Sequence, residues 1–211
     1  MKRLLLGALM VAAIAFAPQT ASAAIVIDFG TGLASAGGTY TLLPNGNATG
    51  SNIPVGVLVT DLNGALGSFC TSGTGGSNGL CGPTSAVLNF STVTNSIQII
   101  GGIPSLGIAN GTVLLSGSFV SWTADANGLH NAIGPDTKGR ELLTALGLPI
   151  TTQFAFFGFS LTSSFNSQTG TWNIISTDIR NTAVPEPGSL MLLGTGLLGA
   201  AAFARRRLRK A

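Results

Sequence analysis

Along the middle of the chain, hydrophobic residues recur at every second position in short runs. Ile53, Val55, Val57 and Val59 keep that step, and so do Val113, Leu115, Gly117 and Phe119, with Ser116 and Ser118 opposite. Period two marks a strand with one buried face. Phe157, Phe159 and Leu161 repeat it, while Phe154 and Phe156 fall on the other face, as in a central strand covered on both sides. Runs rich in β-branched and aromatic residues predict strands near 24–29, 39–43, 53–60, 85–90, 96–100, 112–122, 153–162 and 171–180. Turn residues separate them at Pro44-Asn45-Gly46, Asn63-Gly64, Asn110-Gly111, Asn127-Gly128 and Gln168-Thr169-Gly170. One helix is predicted from about Thr137 to Leu146, capped by Asp136 and ended by Gly147 with Pro149 beyond. Leu142, Leu143 and Leu146 would pack it on the sheet. The expected class is mainly β: an antiparallel β-sandwich or jelly-roll-like domain with one short helix.

The pattern changes at both ends. Lys2 and Arg3 precede an apolar run from Leu4 to Ala17, and Ala21-Ser22-Ala23 then forms an A-x-A cleavage signal. That order is a secretory signal peptide, with cleavage expected after Ala23 by signal peptidase and export through the Sec translocon. The run is short for a membrane span. At the other end, Gly188 to Ala204 carries no charge and would be about 25 Å long as a helix, the lower end of the spanning range. Arg205, Arg206, Arg207, Arg209 and Lys210 follow directly. Behind an export signal, such a segment reads as a single transmembrane helix with a stop-transfer cluster, its cations kept on the cytoplasmic side of the inner membrane. The chain therefore divides into a signal peptide (1–23), a β-rich extracytoplasmic domain (24–183) and a C-terminal segment (184–211). The last comprises 185–187, the apolar stretch 188–204 and the basic tail 205–211.

Charge sharpens this division. Only 8% of the residues are charged, against roughly 25% in an average soluble domain. The net charge of +3 is positive only because of the ends, where seven of the ten bases lie. Between Ala24 and Val184 the bases are Lys138, Arg140 and Arg180, outnumbered by Asp28, Asp61, Asp125, Asp136, Glu141 and Asp178. A basic patch for nucleic acid is absent, so no nucleic-acid partner is expected. Gly, Ser, Thr and Asn fill the spaces between strands.

Val184-Pro185-Glu186-Pro187 stands just before the apolar stretch. Proline fixes φ and biases its predecessor to extended backbone, so this segment is stiff and suits a peptidase cleft. Pro185-Glu186-Pro187, a short apolar span and an Arg-rich end, in that order, resemble the PEP-CTERM sorting signal over about residues 184–210. The layout is similar to Gram-positive LPxTG signals, although Leu-Pro-x-Thr-Gly is absent. The resemblance implies recognition by exosortase, a membrane-embedded cysteine transpeptidase-like enzyme, and a link to exopolysaccharide and biofilm. It makes Pro185, Glu186 and Pro187 substrate residues of another enzyme.

Candidate chemistry in the body is sparse. Cys70 and Cys81 are the only cysteines. In an oxidising compartment they are expected to pair, contributing about 2–3 kcal/mol in the chain-entropy model. His130 is the only histidine. With Asp125 or Asp136 and a serine it imitates a hydrolase triad, but no Gly-x-Ser-x-Gly elbow accompanies it, and a loop histidine without catalytic role is the plainer reading. Asp61-Leu62-Asn63-Gly64 and Asp125-Ala126-Asn127-Gly128 share a pattern that calcium loops use with more carboxylates; ordinary Asx turns are expected. Neither a metal site nor a cofactor is expected. Trp122, Trp172 and Tyr40 are candidates for stacking on sugar rings, against the commoner role of core packing. Asn47, Asn89 and Asn110 stand in N-x-S/T triplets, which arise readily in this composition.

The sequence thus leads us to expect a non-catalytic, exported protein. It would pass through an inner-membrane-anchored intermediate to the cell surface or extracellular matrix, as an adhesive or matrix component. A carbohydrate-binding module for exopolysaccharide is the alternative, and an envelope hydrolase a distant third.

Overall fold

From Phe157 to Ser163 every second residue is buried and those between are exposed or half-buried. The same alternation runs through Ala86–Ser91 and Leu129–Gly134. A computed structural model of the chain describes residues 25–31, 37–62, 64–71, 86–125, 127–184, 195–197 and 199. Residues Ala23–Val184 form one compact unit. Its described strands are β1 (Val26–Gly30), β2 (Thr39–Leu42), β3 (Ala48–Val55), β4 (Val57–Leu62), β5 (Ala65–Cys70), β6 (Ala86–Ser91) and β7 (Ser96–Ile103). They continue as β8 (Ile108–Ser118), β9 (Ser121–Ala124), β10 (Leu129–Gly134), β11 (Asp136–Lys138), β12 (Phe157–Asn166) and β13 (Thr171–Thr182), with one α-helix, α1 (Arg140–Ala145).

Every strand pairing is antiparallel. The strands follow the order β11-β8-β7-β6-β3-β2-β13-β1-β4-β5, and β12 branches from β13 carrying β10 and then β9. The branch exists because β13 is long. Its first residues pair with β2 (Trp172 opposite Tyr40), its last with β1 (Thr182 opposite Val26), and its other edge with β12. Between Ser176 and Ile174 the register with β12 shifts, leaving Ile175 unmatched. Such a bulge bends the strand and increases its twist. One strand therefore serves both arms. All thirteen described strands join in one hydrogen-bonded sheet, where the expected sandwich or jelly roll would have two.

The two arms nevertheless close on a single core. Phe90 of β6 lies 5.7 Å from Phe159 of β12, ring to ring, although β3, β2 and β13 separate them in the sheet. Ile27, Phe29, Ile53, Leu58, Leu88, Ile99, Leu114, Phe157 and Ile179 are sealed with them. Full burial of each such side chain contributes roughly 1.5–3 kcal/mol.

Several sequence expectations are corrected. The 53–60 strand breaks at Gly56, whose N–H is donated to the Gly30 carbonyl while its own carbonyl accepts from Thr71. Here the chain leaves β6 for β1, and the inward face changes: Leu58 and Thr60 are buried, whereas Val59 is 39% exposed. The 112–122 strand begins earlier, ends at Ser118 and restarts at Ser121; a bulge at Leu114, opposite Ile99 and Ile100, turns that side chain inward and leaves Val113 at the surface. Asn110-Gly111 lies inside β8, and the β7–β8 turn is made by the 3-10 turn Pro104–Leu106 and Gly107. The 153–162 strand starts only at Phe157 and is covered on one face, with Phe156 more than half exposed and Phe154 held in a lone bridge to Ala183. Strand β5 and the hairpin arm β10 escaped the sequence pattern.

The helix is shorter than expected. Asp136 does not cap it, because Asp136–Lys138 pairs with β8 and Gly139 takes the cap position without a side-chain bond. Its end is as expected: Gly147 adopts φ 69°, its N–H reaches the Thr144 carbonyl, and Leu148 N–H reaches that of Leu143. These two bonds form a Schellman motif. Leu142 and Leu143 are buried, and Leu146 packs against the core.

The signal peptide (1–23) and nearly all of the apolar stretch 188–204 lie outside the described residues. Thr195, Gly196, Leu197 and Gly199 are helical. Among the described residues no helix is long and apolar enough to cross a membrane.

Candidate functional site

Three turns converge beside Trp122. The β2–β3 turn supplies Asn45, Gly46 and Asn47, the β6–β7 turn Thr92 and Asn95, and the β8–β9 corner Phe119, Val120 and Ser121. With Trp122 and Ala124 they line a cleft of about 370 Å³, within the size range of small-ligand sites. Asn residues build it for a local reason. Asn45 Oδ1 accepts the Asn47 N–H at 3.1 Å, closing an Asx turn. Asn95 holds φ 52°, a left-handed backbone that Asn tolerates, and its carbonyl accepts the Phe119 N–H at 3.0 Å. The Thr92 hydroxyl donates to Asn47 Oδ1 at 3.0 Å and accepts the Ala48 N–H at 2.8 Å, tying two of the turns together. Trp122 Nε1 donates to the Gly46 carbonyl at 3.2 Å. The result is a fixed wall of amides and hydroxyls around an indole, without a charged side chain.

Behind Trp122 lies His130, fully buried. The imidazole stacks on the indole with 5.3 Å between centroids and 3° between planes, and meets Trp172 and Tyr40 edge-on. Its Nε2 is hydrogen-bonded to the Tyr40 hydroxyl, which also bonds Ser163 Oγ at 3.0 Å; Ser163 donates to the Gly128 carbonyl. Burial pushes His130 below its ordinary value, partly opposed by the charge of Asp125. The structure thus brings Trp122, Trp172, Tyr40 and His130 together. It leaves the imagined triad unassembled: Tyr40 stands between Ser163 and His130, Asp125 Oδ1 accepts the N–H groups of Asn127 and Leu129, and Asp136 belongs to another cluster. Asp61 likewise accepts the Gly64 N–H at 2.8 Å, so both D-x-N-G carboxylates are engaged by their own turns. Trp172 packs between Tyr40 and Phe165. Among these aromatics, Trp122 alone lines the cleft.

Cys70, at the end of β5, is not a free thiol; Cys81 lies outside the described residues, and the pairing of the two remains a proposal. Sequence reasoning missed Asn45, Asn47, Thr92 and Asn95. Their signal was present as turn chemistry, but nothing in one dimension says which turns meet.

At the end of β13 the chain stays pinned. Ala183 N–H donates to the Ile25 carbonyl at 2.7 Å and Val184 N–H to that of Gln153 at 2.9 Å. Beyond this point Pro185, Glu186, Pro187 and the cluster Arg205, Arg206, Arg207, Arg209 and Lys210 lie outside the described residues, as do Ala21 and Ala23. A family model described as the PEP-CTERM protein-sorting motif matches residues 183–207. This chain carries a PEP-CTERM sorting motif. No curated protein and no solved structure matches the chain. The motif implies an exported protein with exosortase as its processing partner, carried through the membrane to the cell surface or the extracellular space.

Proposed function

We propose that the body is a non-catalytic adhesive or structural component of the cell surface or exopolysaccharide matrix. The observation that carries this reading is the PEP-CTERM motif placed one residue after the last strand of a weakly charged β body. A surface of hydroxyls and amides hydrogen-bonds to neutral polymers and does not repel a charged envelope. The passage from Sec translocon to signal peptidase, inner membrane and exosortase belongs to the same proposal, with Pro185, Glu186 and Pro187 as the recognised tripeptide. Replacing these three residues by alanine in the native host is expected to remove the protein from the surface and matrix fractions, leaving a cell-associated form of higher C-terminal mass. Adhesion and matrix cohesion are expected to fall with it. Unchanged adhesion in cells that have lost the protein from their surface would sink the adhesive reading.

The cleft favours a second, narrower reading as a carbohydrate-binding module. An indole beside fixed amides and hydroxyls suits a neutral sugar, whose C–H face packs on the ring while its hydroxyls exchange hydrogen bonds. Trp122→Ala is expected to abolish selective signal on a glycan array, and Trp172→Phe to leave it in place. Equal signal from the Trp122→Ala protein would exclude the cleft.

A further inference from the structure

Three polar side chains meet inside the body where β11, β13 and the segment before β12 come together. Lys138 and Asn181 are buried, and the Asp136 side chain is fully shielded. Lys138 Nζ donates to Asn181 Oδ1 at 2.5 Å and also to Asp136 Oδ2. Asn181 Nδ2 donates to Asp136 Oδ1 at 2.7 Å and to the Ala155 carbonyl at 3.0 Å. Lys138 Nζ lies over the Phe154 ring, 5.0 Å from its centroid.

A buried ion pair needs only a cation and an anion, and it is costly to desolvate. Here the third member is a carboxamide. Its carbonyl oxygen is held by the amine and its nitrogen by the carboxylate. The carbonyl carbon is one C=O bond, about 1.2 Å, from that oxygen. Nucleophile, electrophile and proton carrier are therefore fixed together, which replaces an encounter by an intramolecular step. Burial pushes the Lys138 ammonium down to about 8, partly opposed by the charge and hydrogen bond of Asp136. A neutral amine, the form with a lone pair, is thereby brought within reach near neutral pH.

We propose that Lys138 and Asn181 form an intramolecular isopeptide bond, with Asp136 carrying the protons. The ammonium first passes a proton to Asp136 Oδ2, giving amine and carboxylic acid. The Nζ lone pair attacks Asn181 Cγ, a C–N bond forms and the carbonyl π electrons move to Oδ1. Asp136 gives its proton to Nδ2 and takes one from the new C–N nitrogen. The carbonyl re-forms, the Cγ–Nδ2 bond breaks and ammonia leaves. The products are a secondary amide, one ammonia and a protonated Asp136, with no change of oxidation state. This chemistry needs no other molecule, and it is independent of any ligand in the cleft.

Mass analysis of the exported protein, denatured, reduced and alkylated, tests the bond. The chain is expected to be lighter by one ammonia, trypsin is expected not to cut after Lys138, and a branched peptide is expected to join Lys138 to Asn181. Asp136→Ala and Lys138→Arg are expected to restore the full mass. Asp136→Asn, nearly equal in size, keeps the test sound where alanine prevents folding, with near-ultraviolet circular dichroism to check packing. Full mass and cleavage after Lys138 in the wild-type protein overturn the proposal. So does an ammonia loss confined to an unbranched peptide, which is a succinimide. A branched peptide at undiminished yield in folded Asp136→Asn overturns the role given to Asp136.

Discussion

Asp28 stands in β1 opposite Arg180 of β13, with Asp178 close by on the same strand. Burial, followed by the hydrogen bond and charge of Asp178, pushes its carboxyl up to about 7, with Arg180 opposing. The folded protein therefore holds this proton more tightly than the unfolded chain, where the ordinary value of 3.8 applies. The resulting stabilisation is complete below that value and is lost as pH rises through about 7. Asp28→Asn cannot ionise. Its melting temperature is expected to lack the decline that the wild-type protein shows across this window, so that the difference between the two grows in the variant's favour toward pH 8. Parallel pH profiles for the two proteins would falsify the assignment.

At the scale of elements, β8 is approached closely on one side. A Cβ on Gly134 would overlap the Ser118 carbonyl oxygen, and one on Gly139 that of Val113. Gly158, in β12, has nothing within 4 Å of such a Cβ. Gly134→Ala is therefore expected to cost about 1–3 kcal/mol through forced backbone movement. Gly158→Ala is expected to cost nothing, or to stabilise by up to ~1 kcal/mol through the lost freedom of the unfolded chain. Urea denaturation of the two variants checks both values. These contacts explain what the sequence could and could not disclose. Where one face was buried, as in Phe157, Phe159 and Leu161, period two announced the strand. Where a bulge or corner intervened, at Gly56 and Leu114, the period continued on paper while the inward face changed. Asp136 read as a cap because capping is a local property. Its partner Asn181 lies 45 residues away. Trp122 and His130 were legible as candidates, but their stacking, and the turns that complete the cleft, depend on pairings that no local pattern encodes.

For the whole molecule, the decisive element is β13. It borders β1, β2 and β12, and so carries both arms of the sheet. A chain ending at Gly170 would strip β1, β2 and β12 of one paired edge each and cut the sheet into separate pieces. Such a chain is expected to show no cooperative thermal transition, whereas one ending at Val184 keeps every described strand and is expected to melt in a single step. Calorimetry of the two distinguishes them.

The same strand runs directly into the sorting motif, which gives the fold a mechanical meaning. A tether at the C-terminal end would transmit drag or shear into residue 184 and from there along β13. Flow would not meet a peripheral ribbon that peels away bond by bond. It would pull on a strand gripped along both edges, whose ladders must yield together. An isopeptide at Asn181 would catch the load within a few residues of the tether and hand it to β11 through a covalent bridge, so that the body could stretch at its rim while its interior stayed closed.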